Sequence, residues 1–245
     1  MSLIEQKLLL LDKIKGWFDA WVDRRYQPAC GRNCAVCCTT DLGAVTLEAY
    51  ELLASLKERR RDDLLAKLET ASGKDYFRPR ITTNTFAMAC MTGQDPPEEA
   101  PDPNPAPCPL LLGGLCPDYK NRPFACRGIF SLRACKTGSE AEMPPELVSI
   151  VTICWQIIEH LDVGGLYGNL IDLVMVLVDE KNMQKYEKGE ALKSPGLPPT
   201  RPLPGFLVPP EEQDVVREFL DGLFNLDCGG RTFRESMAEI RNSPF

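Results

Sequence analysis

Apolar residues recur every three or four positions through residues 3–24, at Leu3, Leu8, Leu11, Ile14, Phe18, Trp21 and Val22. That is the spacing of one buried helix face. Pro28 and the cysteines around it end the helix. The same periodicity predicts helices over 47–57, capped by Thr46, and over 60–71, stopping at Gly73. Apolar stretches at 144–161 and 165–186 read as two buried helices, and about 211–224 and 231–241 as two closing ones. The pattern lapses over 92–107, "TGQDPPEEAPDPNPAP", with six prolines and four acids, and over 194–210, "SPGLPPTRPLPGFLVPP", with seven prolines. Both predict irregular, Pro-rich loops, the first of them mobile and exposed. No internal repeat and no series of alternating strands appears, although a small hairpin near the cysteines fits the Gly- and Pro-rich stretch 108–135. The expected fold is mainly α, one helical domain over 1–245, with irregular cysteine-rich metal-binding loops at about 28–135 packed on it.

Composition narrows the function classes. The chain of 245 residues is 44% apolar and 26% charged, enough to bury a core without disulfides. Its net charge of −7, from 28 basic and 35 acidic residues, argues against non-specific nucleic-acid binding, which draws its affinity from released counterions. The basic run Lys57 to Arg61 reads as a solvated helix face. The Leu run near the N-terminus is broken by charges, and "LYGNLIDLVMVLV" (166–178) is too short to span a bilayer and holds Asp172. We expect no membrane partner, no nucleic-acid partner and a cytoplasmic location, where thiols stay reduced.

The candidate chemistry lies in the eleven cysteines, an odd number that a complete disulfide framework cannot use. Four of them, Cys30, Cys34, Cys37 and Cys38, crowd into "CGRNCAVCC", where Gly31 and Asn33 permit tight turning. A downstream set follows: Cys108, Cys116, Cys126 and Cys135. Thiolates bind zinc and iron–sulfur clusters. Eight candidates suffice for one closed site with spares or for two four-sulfur sites. Adjacent residues rarely aim both side chains at one point, so Cys37 and Cys38 are expected to face different directions. Cys154, Cys228 and Cys90 stand alone and read as inert core cysteines. The single histidine, His160, lies near a helix end, where a structural role is the plain reading. There is no phosphate loop, and "GGLYGN" is too incomplete for a dinucleotide motif.

With these residues in view, the chain resembles the YkgJ-like cysteine-cluster family, described as a zinc- or iron-chelating domain. The resemblance rests on a cysteine run ending in Cys37 and Cys38, then on Cys108, Leu110, Gly114, Cys116, Tyr119, Arg122, Pro123, Cys126 and Arg127 in order. It covers about residues 28–130. Three residues, rather than the two common in the family, separate Cys30 from Cys34, and the acidic Pro-rich insertion before Cys108 is a second departure. The resemblance implies a zinc or iron–sulfur centre on these cysteines, with Arg122, Arg127 and Tyr119 behind the ligands. It extends distantly to flagellin lysine N-methylases, which implies redox or methyl-transfer chemistry on a protein substrate.

Function readings from different classes stand side by side. In one, the chain holds an iron–sulfur cluster, with [4Fe–4S] favoured, and has redox or methyl-transfer chemistry. In the others it is a zinc-stabilised, non-catalytic interaction module or a metal-handling protein. Cys30, Cys34 and Cys37 share the spacing of radical S-adenosylmethionine enzymes, but those place it after a barrel strand, whereas here helices flank it.

Overall fold

The structure, a computed structural model, describes residues 1–31, 33–100, 102, 104–135 and 141–242, the last two by their backbone only. Pro101 and Pro103 of the acidic insertion lie outside these.

The first helix, α1 (Leu3–Arg25), starts in a reciprocal cap. The Glu5 N–H donates to the Ser2 hydroxyl, and the Ser2 N–H donates to the Glu5 carboxylate at 2.7 Å, so two N-terminal donors are satisfied together. Leu10, Leu11, Ile14, Phe18 and Trp21 form its fully buried stripe. Beyond Arg25 the chain extends, and the Tyr26 hydroxyl donates to Glu146 at 2.8 Å, which fixes the direction in which the cysteine run leaves the helix. A short strand, β1 (Gly43–Val45), leads into α2 (Thr46–Glu58), followed by α3 (Asp62–Ser72) and α4 (Thr83–Met91). After the second cysteine segment, with its one-turn helix α5 (Phe124–Gly128), come α6 (Pro145–Leu161), β2 (Tyr167–Asn169), α7 (Leu170–Val178) and α8 (Glu180–Glu187). A 3₁₀ turn at Pro210–Glu212, α9 (Gln213–Phe224) and α10 (Phe233–Asn242) close the chain. The fold is mainly α. Among the described residues no helix is long and apolar enough to cross a membrane.

Several expectations need correction. The stretch 165–186 is not one helix. Gly164 takes a positive φ of 96°, residues 167–169 form a strand, and Asp179 breaks the rest in two by capping α8 through the N–H groups of Lys181 and Asn182. Thr46 does not cap α2. Its hydroxyl donates to the Leu166 carbonyl, and the Glu48 carboxylate takes the Val45 N–H at 3.2 Å. Helix α4 was missed because "TNTFAMACM" buries only Asn84 and Ala87, too few positions for a visible period.

No hairpin carries β1. It pairs antiparallel with β2, Gly43 opposite Asn169 and Val45 opposite Tyr167, across more than a hundred residues of chain. The Asn169 amide adds donations to the carbonyls of Thr40 (2.7 Å) and Phe77 (3.0 Å). This pairing clamps the segment that follows Cys38 onto the helical core. In that core α7 packs between α2 and α3, and α6 lies against α4, α5 and α9.

The second Pro-rich stretch is a tethered strap rather than a free loop. Its prolines cannot donate, but the N–H groups of Thr200, Arg201 and Leu203 find acceptors on the last turn of α6 and just beyond it. Arg201 donates to Glu159 (2.8 Å), Leu203 to His160 Nδ1 (3.1 Å), and the Thr200 hydroxyl to the Asp162 carbonyl (2.7 Å). His160 thus serves as a backbone acceptor for the strap.

Asp162, fully buried at the end of α6, accepts from the Leu47 N–H at 3.1 Å and from the Tyr186 hydroxyl, with the Lys7 ammonium 3.9 Å away. Burial outweighs these partners and raises its carboxyl from an ordinary value of 3.8 to about 6. The folded state thus holds this proton more tightly than the unfolded chain, so the stability it lends is present at low pH and is lost as pH rises through about 6. Comparing urea unfolding of wild type with Asp162→Asn isolates the group. Between pH 4 and pH 6.5 wild type should lose on the order of 2 kcal/mol relative to the variant. A pH-independent difference between the two would show that folding does not raise the Asp162 carboxyl.

Candidate metal centre

The cysteine segments are brought together by backbone pairing and by one buried carboxylate. On the upstream side, tight turns wind the run: the Cys34 N–H donates to the Gly31 carbonyl and the Cys38 N–H to Ala35. Two separate downstream pieces then attach to it. The Cys108 N–H donates to the Cys38 carbonyl at 2.9 Å and the Thr40 N–H to Ala106 at 2.8 Å, while the Ala29 N–H donates to the Ser131 carbonyl at 2.8 Å. Between Cys108 and Cys116 the chain reverses through Gly113 and Gly114, with φ of 57° and 81° and both cross-turn bonds of a two-residue hairpin, Leu112 to Leu115 and back. Only glycine adopts two consecutive positive φ values at low cost. Cys126 rides on α5. At Gly128 of that helix a Cβ would sit 3.0 Å from a Val151 methyl, so glycine lets α5 lie directly on α6.

Glu48 joins the two halves. One of its oxygens accepts from the Val45 N–H of β1 and the other from the Phe124 N–H of α5 at 2.6 Å. Burial pushes this carboxyl up, against the pull of Lys15 and the two N–H donors.

Cys30, Cys34, Cys37, Cys38, Cys108, Cys116 and Cys126 all line one cavity of about 320 Å³. Cys135 does not line it, but lies near enough to Cys30 for its charge to act there. Cys34 and Cys38 are half-buried and Cys37 is exposed. Beside Asp41, Glu48, Asp118 and Arg122, the remaining wall is largely apolar, with Leu42, Leu52, Phe77, Trp155, Ile158 and Leu170. None of the eleven cysteines is in a disulfide.

Backbone donors point at several sulfurs. The Ser131 N–H donates to Cys30 Sγ at 3.3 Å, the N–H groups of Leu110 and Leu111 favour the thiolate of Cys108, and that of Asp118 favours the thiolate of Cys116. N–H groups aimed at sulfur are the usual support for metal-bound thiolates. Without a cation, burial wins at each of these sites and holds Cys30, Cys108, Cys116 and Cys126 above the ordinary thiol range, with neighbouring thiols adding to the rise at Cys126. Asp118 is buried and lines the cavity. Its Oδ1 is held by Asn121 at 3.0 Å and pairs with Arg59 at 3.4 Å, and among the described residues its Oδ2 has no hydrogen-bond partner. An orphaned carboxylate oxygen among thiols suits a cationic guest. The donor chemistry therefore fits a soft metal, yet among the described residues no three His, Cys, Asp or Glu donors already stand where one ion would be held.

The flanking residues divide. Arg122 lines the cavity and stacks on Tyr119, its guanidinium carbon 3.8 Å from the ring centroid. Its charge favours the thiolates of Cys37, Cys116 and Cys126. Arg127 points elsewhere. It pairs with Asp19 of α1 and donates to the Lys120 carbonyl at 2.7 Å, so it ties α5 to α1 instead of facing the sulfurs. Cys37 and Cys38 do not face apart, since both line the same cavity and each thiol acts on the other's proton affinity. Cys154 and Cys228 are buried core cysteines, as expected, but Cys90 is exposed on α4. The acidic insertion is not free. The Asp102 N–H donates to Asp41 at 2.9 Å, Arg80 pairs with Glu99, and Thr39 bridges to Pro107. Glu48 and Asp118 escaped sequence reasoning. Asp118 sits inside the cysteine block, and Glu48 stands three residues after an extended Val45, the spacing of a helix cap.

No family model matches this chain, and no curated protein or solved structure matches it either. The likeness to the cysteine-cluster family rests on the quoted residues alone.

Two outcomes follow from the geometry. Glu48→Gln offers one carbonyl oxygen to two N–H groups and should cost about 1–3 kcal/mol in urea unfolding. An unchanged midpoint would mean the carboxylate is not the joint between the halves. In metal-free, reduced protein, the hydrogen bond from Cys38, with the Arg122 charge in support, lowers the Cys37 thiol to about 6. Alkylation of Cys37, mapped by mass spectrometry, should be half-maximal near pH 6. Cys38→Ala should move that midpoint up toward the ordinary value of about 8.5, and Arg122→Gln should move it in the same direction by less.

Proposed function

We propose that the chain is a thiolate metalloprotein whose two cysteine segments hold an iron–sulfur cluster or zinc, with [4Fe–4S] the first choice. One observation carries this reading: seven of the eight candidate thiols, from segments about seventy residues apart in sequence, line a single cavity with N–H donors and Arg122 directed at them. A cluster supplies electron-transfer or Lewis-acid chemistry when bound, whereas zinc with four thiolates closes a structural knot. The chain's own part is to gather sulfurs, to offset their charge through Arg122 and the backbone donors, and to keep an apolar wall beside them. Leu42, Phe77 and Trp155 on that wall accommodate an organic group next to the thiols, in keeping with redox or methyl-transfer chemistry on a protein side chain.

The zinc reading, with no catalysis, has its own support in the depth of Cys108 and Cys126, whose thiols burial pushes up. That is the setting of a closed four-thiolate site. Eleven unpaired cysteines fit a reducing compartment, the cytoplasm.

Purification without oxygen decides between them. Brown protein with broad visible absorption and stoichiometric iron and sulfide supports the cluster, and colourless protein with stoichiometric zinc supports the structural site. Replacing Cys34, Cys116 or Cys126 singly by Ser should lower metal content, and Cys154→Ser or Cys228→Ser should leave it unchanged. Protein that binds neither metal, or full retention in the Cys116 and Cys126 variants, would overturn the proposal.

A further inference from the structure

We propose a second ligand site, separate from the thiol cavity and independent of any metal. It is a cleft between α3 and segment 106–109 that takes a small phosphomonoester, with the phosphate on Lys67 and Lys74 and the apolar body on Tyr76, Pro107 and Pro109.

The cleft has a volume of about 500 Å³, within the range of sites for small organic molecules. One wall is α3 with the turn after it, and the other is the chain leading into Cys108. Its place follows from the pairing that carries the cysteines. Thr39 bridges to Pro107, the Thr40 N–H donates to the Ala106 carbonyl, and the Cys108 N–H donates to the Cys38 carbonyl. Side chains along an extended chain point alternately to opposite faces. Here Pro107 and Pro109 line the cleft, whereas Cys108 between them lines the thiol cavity. On the paired segment Cys38 and Thr39 line the thiol cavity and Thr40 lines the cleft. The two cavities therefore stand back to back across one short ladder.

Two observations point to an anionic guest. The first is charge. The charged side chains that line the cleft are Lys67, Lys74 and Asp75, a basic excess in a chain of net charge −7. Neither lysine has an ion-pair partner among the described residues, and the nearby carboxylates of Asp63 and Asp172 are taken up by Arg61 and Arg78. The second is an orphan. Thr40 is buried, and its hydroxyl has no hydrogen-bond partner among the described residues. Its N–H and carbonyl are engaged by Ala106 and by the Asn169 amide, so what it turns to the cleft is its side chain. Buried polar groups are nearly always paired, and this one lacks a partner the chain itself could supply. Two ammonium point charges on separate elements suit a group of charge near −2 spread over three oxygens, which is a phosphate monoester. The apolar part of the wall suits its organic body. Tyr76 is fixed there by its hydroxyl bond to Asp172 at 2.6 Å and by Arg78 stacked 4.0 Å from its ring centroid.

Phenyl phosphate is the probe, titrated calorimetrically into full-length, reduced, metal-free protein, with inorganic phosphate and benzoate run beside it. Phenyl phosphate should bind saturably at one per chain. Inorganic phosphate, without the apolar body, and benzoate, with a single charge, should each bind more weakly. The exposed pair Lys67→Gln with Lys74→Gln should weaken phenyl phosphate about tenfold. Thr40→Val should weaken it in the same direction, and the control pair Lys181→Gln with Lys185→Gln on α8 should leave it unchanged. Hydrogen exchange should slow on binding at the Thr40 and Cys108 amides, which form the ladder behind the cleft. Absence of saturable binding, wild-type affinity in the Lys67 and Lys74 variant, or protection confined to other segments would overturn the site. Benzoate or inorganic phosphate binding as tightly as phenyl phosphate would overturn the phosphomonoester assignment. The thiols take no part in any of these readouts, so the metal reading stands or falls separately.

Discussion

The site depends on the buried carboxylate of Glu48. It is the point where the strand after the first cysteine segment and the one-turn helix in the second share an acceptor, through Val45 and Phe124. A carboxylate suits this place because its two oxygens accept from two directions, whereas an amide or hydroxyl presents fewer lone pairs to opposed donors. Burying it costs desolvation free energy, visible in its raised carboxyl. That cost is offset by two N–H groups that would otherwise be unpaired in the core, and by Lys15. The β1–β2 pairing and the Asn169 clamp hold one side of the joint, and Gly128 packed on Val151 holds the other.

Around that joint the thiols are in an electrostatic conflict. Seven of them share one cavity, and each thiolate that forms opposes the next. Burial first, and the charges of neighbouring groups after it, favour neutral thiols at Cys30, Cys108, Cys116 and Cys126, even though N–H donors face the first three. A cation reverses the balance. It removes the mutual repulsion, releases the thiol protons and lets the N–H groups bond to charged sulfur, so affinity for metal rises with pH. Cys37 is the exception, since its bond from Cys38 and the nearby Arg122 already favour the thiolate.

The long helices were legible because a buried stripe repeated at 3.6 residues specifies them almost alone, as in α1 and α6. The break at Asp179 was not, because the polar stretch after it, EKNMQKYE, is itself helical and only the capping geometry at Asp179 separates the two helices. The strap 194–210 was legible as irregular but not as fixed. Its order comes from Glu159 and His160, acceptors about forty residues away whose partners no local pattern reveals. The cysteines announced a shared site by residue type and crowding. Which thiol neighbours which depends on backbone pairings such as Cys108 to Cys38 and Ala29 to Ser131, and these are set by the tertiary fold.

The same separation bears on how metal and folding are linked. In a small zinc module the ion supplies most of the folding free energy, and the chain is unfolded without it. Here the apolar core runs through α1, α2, α6, α7 and α9, with Leu11, Ile14, Leu53, Ile153, Ile157 and Phe219 wholly buried, and Cys30 and Cys108 pack against it from the loops. A core of that size in a chain of 245 residues is self-sufficient. The cysteine loops hang on it through Glu48, the β1–β2 pairing and the two backbone attachments. A cation then stabilises chiefly the loops it binds, and its free energy reaches the helical core only through those few bonds. On the proposed metal reading, binding would order segments 29–42 and 106–135 against a core built chiefly by the helices.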